Sequence, residues 1–278
     1  MRAPFGSRLA DAVSDRGPLC VGIDPHPALL RAWGLPEDSS GLERFALTTV
    51  AALATEVAVL KPQSAFFEAH GSRGIAVLER VITESRQAGA LVLLDVKRGD
   101  IGSTMAAYAG AYLADGAPLA VDAVTLSPYL GFDSLRPALS LAEQHGRGVF
   151  VLALTSNPEG AFVQRAETAG RSIAQSIVDA AAKVNKGASP LGHAGLVIGA
   201  TVPAGQVDLG ALNGSILAPG FGAQGATVAD LRRVFGPALR HVLPASARDI
   251  LRNGPDIGSL RAAALRVRDG IVEGTAHR

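Results

Sequence analysis

Short runs of leucine and β-branched residues recur along the 278-residue chain, each passing into a polar or glycine-bearing turn and then an alanine-rich stretch with helical spacing. These runs predict strands at 19–24 (LCVGID), 57–61 (VAVLK), 91–95 (LVLLD), 121–126 (VDAVTL), 148–154 (GVFVLAL), 195–200 (GLVIGA), 214–218 (GSILA) and 239–243 (LRHVL). Apolar character on both faces implies parallel strands covered by helices, and eight such units close most naturally into an α/β fold of the (β/α)8 TIM barrel type. A doubly wound sheet would require a glycine-rich fingerprint opening the first helix. The first strand instead ends in GIDPHP. Helical segments carry apolar stripes such as Leu42, Phe45, Leu47, Val50 and Leu53. Phe5, Leu9 and Val13, helically spaced between charges, predict a covering helix before the first strand. Residues 183–193 (KVNKGASPLGH) read as a loop, so a single domain is expected over 1–278.

Composition narrows the function classes. Lys plus Arg number 26 against 25 Asp plus Glu, a net charge of +1, which lacks the broad basic face that nucleic-acid backbones require. Any anionic partner should be small and locally held. One cysteine, Cys20 within LCVGI, excludes an intramolecular disulfide or multi-cysteine zinc site and reads as a buried, inert thiol in a reducing cytoplasm. The apolar runs fall well short of the ~20 residues that span a bilayer, so a soluble, cytoplasmic protein without a membrane partner is expected. The six histidines show no ligand spacing, and none is assigned to a metal. His26 and His70 read as rim structure, and Trp33 and Tyr129 as packing residues.

Charges closing apolar strands carry more weight, because barrel active sites form at the strands' C-terminal ends. Asp24 closes the first strand, Lys61 the second, and Asp95 with Lys97 the third. In LLDVKRGDIGST, Asp95 and Lys97 stand two apart and project to the same side of a strand, with Asp100 in the following turn. If Lys61, Asp95, Lys97 and Asp100 meet, each ammonium is held between carboxylates and stays protonated despite partial burial. The bland alternatives are helix capping and a rim salt-bridge network that only stabilises the barrel. Arg98 points away from Lys97 and reads as a solvated or interface charge.

A second informative segment is SILAPGFGAQGAT, a strand running into a loop with Gly220, Gly222 and Gly225. Glycines let backbone amides approach an anion, and barrel phosphate sites commonly lie after strands seven and eight. Past the eighth strand, PASARDIL places Arg248 where its guanidinium could fork onto the same phosphate, with Arg252 the fallback.

Together GIDP, LKPQ, LLDVKRGDIGST, LTSNP, GATVP and APGFGAQGAT, spread over about residues 20 to 250, resemble the orotidine 5′-phosphate decarboxylase family in its longer bacterial form. The resemblance implies conversion of orotidine 5′-phosphate to uridine 5′-phosphate and CO2 in pyrimidine biosynthesis, without a cofactor. By the resemblance, Lys97 matches the lysine that delivers a proton to C6 of the pyrimidine, Asp95 the carboxylate facing the substrate carboxylate, and Lys61 the lysine bridging ribose and aspartates. Asp24 matches a ribose-hydroxyl ligand, Ser156 the serine reading the pyrimidine, and Gln224 the loop residue spanning base and phosphate. Pro219, Gly222, Gly225 and Arg248 fall in the family's phosphate-side segments. Asp100, Ile101 and Thr104 match residues given to the neighbouring subunit's site, which implies a homodimer. Two departures stand out: Phe221 replaces a smaller aliphatic residue, and Arg248 lies outside the V-G-R-S pattern of shorter members.

Three rivals remain at this point. A sugar-phosphate decarboxylase or isomerase of the same superfamily would use the D-x-K-x-x-D rim with a metal ion, whereas Ser156 with Gln224 suits a pyrimidine. A silent nucleotide-binding barrel would have lost a proton donor or phosphate ligand. Schiff-base chemistry needs a lysine in an apolar pocket, the opposite of Lys97 among aspartates.

Overall fold

A computed structural model describes residues 2–276 of the chain. Eight strands form a closed barrel in which every neighbouring pair is parallel: β1 (Cys20–Ile23), β2 (Val59–Pro62), β3 (Leu91–Arg98), β4 (Ala123–Leu126), β5 (Gly148–Leu154), β6 (Ala194–Ile198), β7 (Ile216–Pro219) and β8 (Val242–Ser246), which returns to β1. The predicted (β/α)8 barrel is thus formed. Of the expected 1–278 span, Met1, His277 and Arg278 lie outside the described residues. Among the described residues, no helix is long and apolar enough to cross a membrane.

The helices are α1 (Phe5–Arg16), α2 (Pro27–Ala32), α3 (Ser39–Leu53), α4 (Ser64–Glu68), α5 (Gly71–Gln87), α6 (Gly102–Leu113), α7 (Arg136–Gln144), α8 (Gly160–Gln164), α9 (Ile173–Val184), α10 (Val228–Phe235), α11 (Arg248–Leu251) and α12 (Ile257–Ala276). Local chemistry fixes several starts. Asp38 caps α3 by accepting from the amides of Ser40 and Gly41, and Thr227 with Asp230 makes a reciprocal capping box on α10. Between α8 and α9 a short antiparallel hairpin pairs Glu167–Thr168 with Arg171–Ser172.

Two apolar layers hold the barrel. The outer one, between strands and helices, contains Val21, Leu60, Leu94, Val151 and Leu196 with the helical stripe of Leu42, Phe45, Val50 and Leu53. The inner layer contains Cys20, Val59, Leu93, Ala123, Phe150, Val197, Leu217 and Leu243. Phe5, Leu9 and Ala12 of α1 join that inner layer, and Phe5 meets Phe150 edge to face with centroids 6.0 Å apart. Glycine makes room for both rings. A Cβ at Gly148 would come within 2.4 Å of Phe5, and one at Gly195 within 2.7 Å of Phe150. Arg8 of α1 also pairs with buried Asp122 at 2.6 Å. The covering helix therefore closes the end where strands begin, leaving the C-terminal ends open.

The regular alternation read from sequence breaks once. Residues 199–215 form turns without a helix, because Pro203, Gly205, Gly210 and Gly214 interrupt the segment. The eighth strand also lies later than 239–243. Residues 236–241 form a 3-10 turn around Pro237, and the strand runs on through Pro244, a residue type that ordinarily ends a strand pattern. Trp33 packs on Phe45 as expected, but Tyr129 is 79% exposed and is not a packing residue within this chain.

Candidate active site

At the open end, a cavity of about 480 Å³ is lined from β1 by Asp24, from β2 by Lys61 and Gln63, and from β3 by Asp95 and Lys97. Ser156 follows β5, Pro219 ends β7 with Gly220, Phe221, Ala223 and Gln224 after it, and Ser246 and Arg248 close the ring from β8. A larger depression of about 1100 Å³ lies beside the strand-entry end, lined by parts of α1, α12 and β8. Volume does not decide between them. Only the smaller one holds a buried ion pair among strand-end residues.

Asp95 is the centre of that cluster. Its Oδ2 accepts from Lys61 Nζ at 3.1 Å, and its Oδ1 from Lys97 Nζ at 2.5 Å and Thr125 Oγ1 at 2.8 Å. The Gln63 amide, turned so that both its ends are satisfied, donates to Oδ2 at 2.8 Å. A carboxylate offers about four acceptor sites, and all are filled. Burial raises the Asp95 pKa, but Lys61 and Lys97 together with the bonds from Lys97 and Thr125 prevail, holding it at about 2 against the ordinary 3.8. Burial likewise pushes Lys61 toward its neutral form. The charges of Asp24 and Asp95 outweigh it and raise Lys61 above the usual lysine range.

The two lysines differ in exposure. The Lys61 side chain is 9% exposed, whereas that of Lys97 is 43% exposed and reaches into the cavity. Lys97 owes its direction to an irregularity. Between Leu94 and Arg98 the register of β3 on β4 shifts, and Lys97 adopts φ 48°, a left-handed conformation that non-glycine residues seldom take. The expected strand alternation alone would not produce this geometry. Arg98 turns outward to pair with Glu68 at 2.7 Å.

Two buried polar atoms at the cavity wall have no hydrogen-bond partner, Asp24 Oδ1 and Ser246 Oγ. Such atoms are rare in native interiors, and here they offer an acceptor and a hydroxyl to a polar ligand. Arg248 lines the cavity, while Arg252 does not, being 70% exposed and 3.4 Å from Asp249. Among the described residues, no group of three His, Cys, Asp or Glu is arranged to hold a metal ion. Cys20 sits in the inner layer, and burial pushes its thiol up to about 12.

Of the residues predicted from sequence, Asp24, Lys61, Asp95, Lys97, Ser156, Pro219, Gln224 and Arg248 come together on one cavity. Asp100, Ile101 and Thr104 do not. Asp100 accepts from the Ile101 amide at the rim, and Ile101 is 61% exposed. The anticipated four-charge cluster is therefore a three-charge cluster within this chain, joined by Asp24. Nor do Gly222 and Gly225 line the cavity; their amides donate to Ala226 and Gly222 within the loop, while Ala223 and Gln224 face inward. Sequence reasoning missed Gln63 and Thr125. Gln63 was visible two residues after Lys61, and Thr125 as the inward-facing polar residue two after Ala123 on β4.

Against this geometry the comparisons are specific. The family model for orotidine 5′-phosphate decarboxylase / HUMPS proteins matches residues 17–262. The chain belongs to this family. It is 64% identical over 264 residues to the orotidine 5′-phosphate decarboxylase of Salinispora arenicola (strain CNS-205), with 95% of each chain covered. A crystal structure of a Streptomyces avermitilis protein superposes with a TM-score of 0.96 at 57% identity, covering 99% of this chain and 97% of that one. The structure of Leishmania donovani OMP decarboxylase superposes at 0.78 with 28% identity, over 99% of this chain and 100% of the other. All three likenesses span nearly the whole chain rather than a motif.

Proposed function

We propose that this chain decarboxylates orotidine 5′-phosphate to uridine 5′-phosphate and CO2, the reaction for which its relatives are named. The observation that carries the reading is a buried carboxylate, Asp95, fixed between two lysines at the floor of a cavity with Ser156, Gln224 and Arg248 around it. The HUMPS branch of the family supplies the alternative of a sugar-phosphate substrate. Naming of a 64% identical relative as an orotidine 5′-phosphate decarboxylase favours the pyrimidine nucleotide.

Loss of CO2 from C6 leaves an electron pair that the pyrimidine ring delocalises poorly. Lys97, held by Asp95 and reaching into the cavity, stabilises that charge as it develops and then donates the proton that becomes the C6 hydrogen. Lys97 leaves that step neutral. Asp95, ionised because its pKa is about 2, faces the leaving carboxylate and adds ground-state repulsion. Asp24 and Lys61 hold ribose hydroxyls, with the unpartnered Asp24 Oδ1 as acceptor. Arg248 with Gln224 and Pro219 takes the phosphate, on the loop that Gly222 and Gly225 close, and its binding energy serves to position a base several ångströms away.

The same reading makes the protein a homodimer. Asp100, half-buried, and Ile101 and Thr104, exposed, do not line their own chain's cavity and serve the site of a second copy. The deciding experiment follows the loss of orotidine 5′-phosphate absorbance with purified protein, with and without a chelator. Turnover indifferent to chelation is expected; an inactive protein, or one that acts only on a sugar phosphate with metal, would overturn the assignment.

A further inference from the structure

Thr125 takes no part in the scheme above, yet its side chain is as fully used as the carboxylate it serves. It lies on β4 facing the barrel axis, 1% exposed, one layer above Ala123. Its hydroxyl donates to Asp95 Oδ1 at 2.8 Å and accepts from the amides of Val96 and Lys97, both at 3.0 Å. One donor and two acceptor lone pairs are all that a hydroxyl has, so its capacity is exhausted.

The reason lies in the register shift. From Leu94 to Arg98, β3 advances four residues while β4 advances two, from Val124 to Leu126. The extra residues leave the amides of Val96 and Lys97 without carbonyls on β4. An unpaired buried amide is costly, and a strand side chain of the right length can replace the missing ladder. Thr125 does so, and the same oxygen orients the carboxylate on which Lys97 rests. The backbone of Lys97, at φ 48°, and the ammonium of Lys97 are thus tied to one hydroxyl from two directions.

We propose that Thr125 is a positioning residue for the decarboxylation, holding the β3 bulge and Asp95 so that the Lys97 ammonium stands where C6 of the substrate arrives. This rests on the functional reading above. It also explains why a hydroxyl is buried on the axial face of β4, one layer above apolar Ala123. A β-branched residue suits the strand and holds its χ1.

The test compares Thr125→Val, Thr125→Ala and Thr125→Ser with wild type in turnover of orotidine 5′-phosphate, and in affinity and stoichiometry for uridine 5′-phosphate by calorimetry. Thr125→Val should lower kcat roughly tenfold to a hundredfold, the effect of losing hydrogen bonds to a buried charge and its neighbours. Uridine 5′-phosphate should still fill every site with affinity changed less than about threefold, since the ribose and phosphate contacts remain. Thr125→Ser should restore most of kcat. If Thr125→Val does not fold, Thr125→Ala carries the same expectation. A wild-type kcat in the valine or alanine variant would overturn the proposal, as would a serine variant as slow as valine, or nucleotide affinity falling in step with kcat. Wild-type protein inert toward orotidine 5′-phosphate would overturn the functional reading and this inference with it; an active wild type isolates the fault to Thr125.

Discussion

Removing one partner of the Lys61–Asp95 pair tests whether the cluster is held together as the geometry says. Both side chains are 9% exposed and 3.1 Å apart. Breaking a buried pair ordinarily costs ~3–5 kcal/mol, because the surviving charge is left uncompensated. In Lys61→Met, Asp95 keeps Lys97, Thr125 and Gln63, and in Asp95→Asn, Lys61 keeps the field of Asp24. The lower end therefore applies. The lowered Asp95 pKa, to which Lys61 contributes alongside Lys97 and Thr125 against burial, has the sign this coupling requires. The coupling between the two substitutions should then be about 2–3 kcal/mol, and Lys61→Met should melt roughly 6–10 °C below wild type.

Its pH dependence is fixed by sign. The folded-state pKa of Asp95 lies below its ordinary value, so the stabilisation is present above about pH 4 and is lost as pH falls toward 2. Lys61 is shifted the other way, and its contribution is fully present below its ordinary 10.5 and fades only in strong alkali. Urea denaturation of wild type, both single variants and the double variant, at one protein concentration and at pH 7, 5 and 3, reads the cycle directly. Coupling below about 0.5 kcal/mol at pH 7, or coupling that grows on acidification, would refute the argument.

Three functional consequences accompany it. Arg248→Ala should depress kcat/KM for orotidine 5′-phosphate roughly a hundredfold while sparing the phosphate-free nucleoside, the scale of a forked charge-assisted contact; equal losses on both substrates would remove Arg248 from the phosphate. Lys97→Ala should abolish turnover yet still bind uridine 5′-phosphate in a calorimetric titration, and a variant retaining most of its activity would end the proton-donor role. Mixing inactive Lys97→Ala and Asp100→Asn chains should restore roughly a quarter of wild-type activity if sites are shared across a two-fold dimer, since half the dimers would carry one intact site. No recovery after subunit exchange would return Asp100 to a purely local role.

The barrel was legible because its signal is redundant: eight apolar runs, each buried on both faces, leave few other ways to satisfy the pattern. Edges of elements were less so. Pro244 lies inside β8 although it has no amide to give, and the turn around Pro237 displaces the start of that strand. The candidate site was legible wherever a charge closes a strand, as with Asp24, Lys61 and Asp95. It was not legible where a side chain serves the backbone. Thr125 reads as an ordinary β-branched strand residue until the bulge opposite it is seen, and bulges leave no period in a sequence. The glycines after β7 misled in the other direction. Their composition matches an anion cradle, but Gly222 and Gly225 spend their amides on closing the loop, so conformational freedom is what they supply.

The contrast between the two lysines follows from what each must touch. Lys61 lies at the floor among Asp24, Asp95 and Cys20, where a charge survives only if opposite charges are fixed around it, and its raised pKa records that they are. A group so placed can orient a ligand but has little freedom to pass a proton. Lys97 has the same carboxylate as its anchor, yet the bulge lifts it to the cavity side with 43% of its side chain exposed. In the proposed reaction, Lys97 as the acid needs that access, and a replacement proton from solvent once product leaves. One carboxylate thus holds a buried ammonium on one oxygen and a cavity-facing one on the other, and the bulge in β3 is what separates the two.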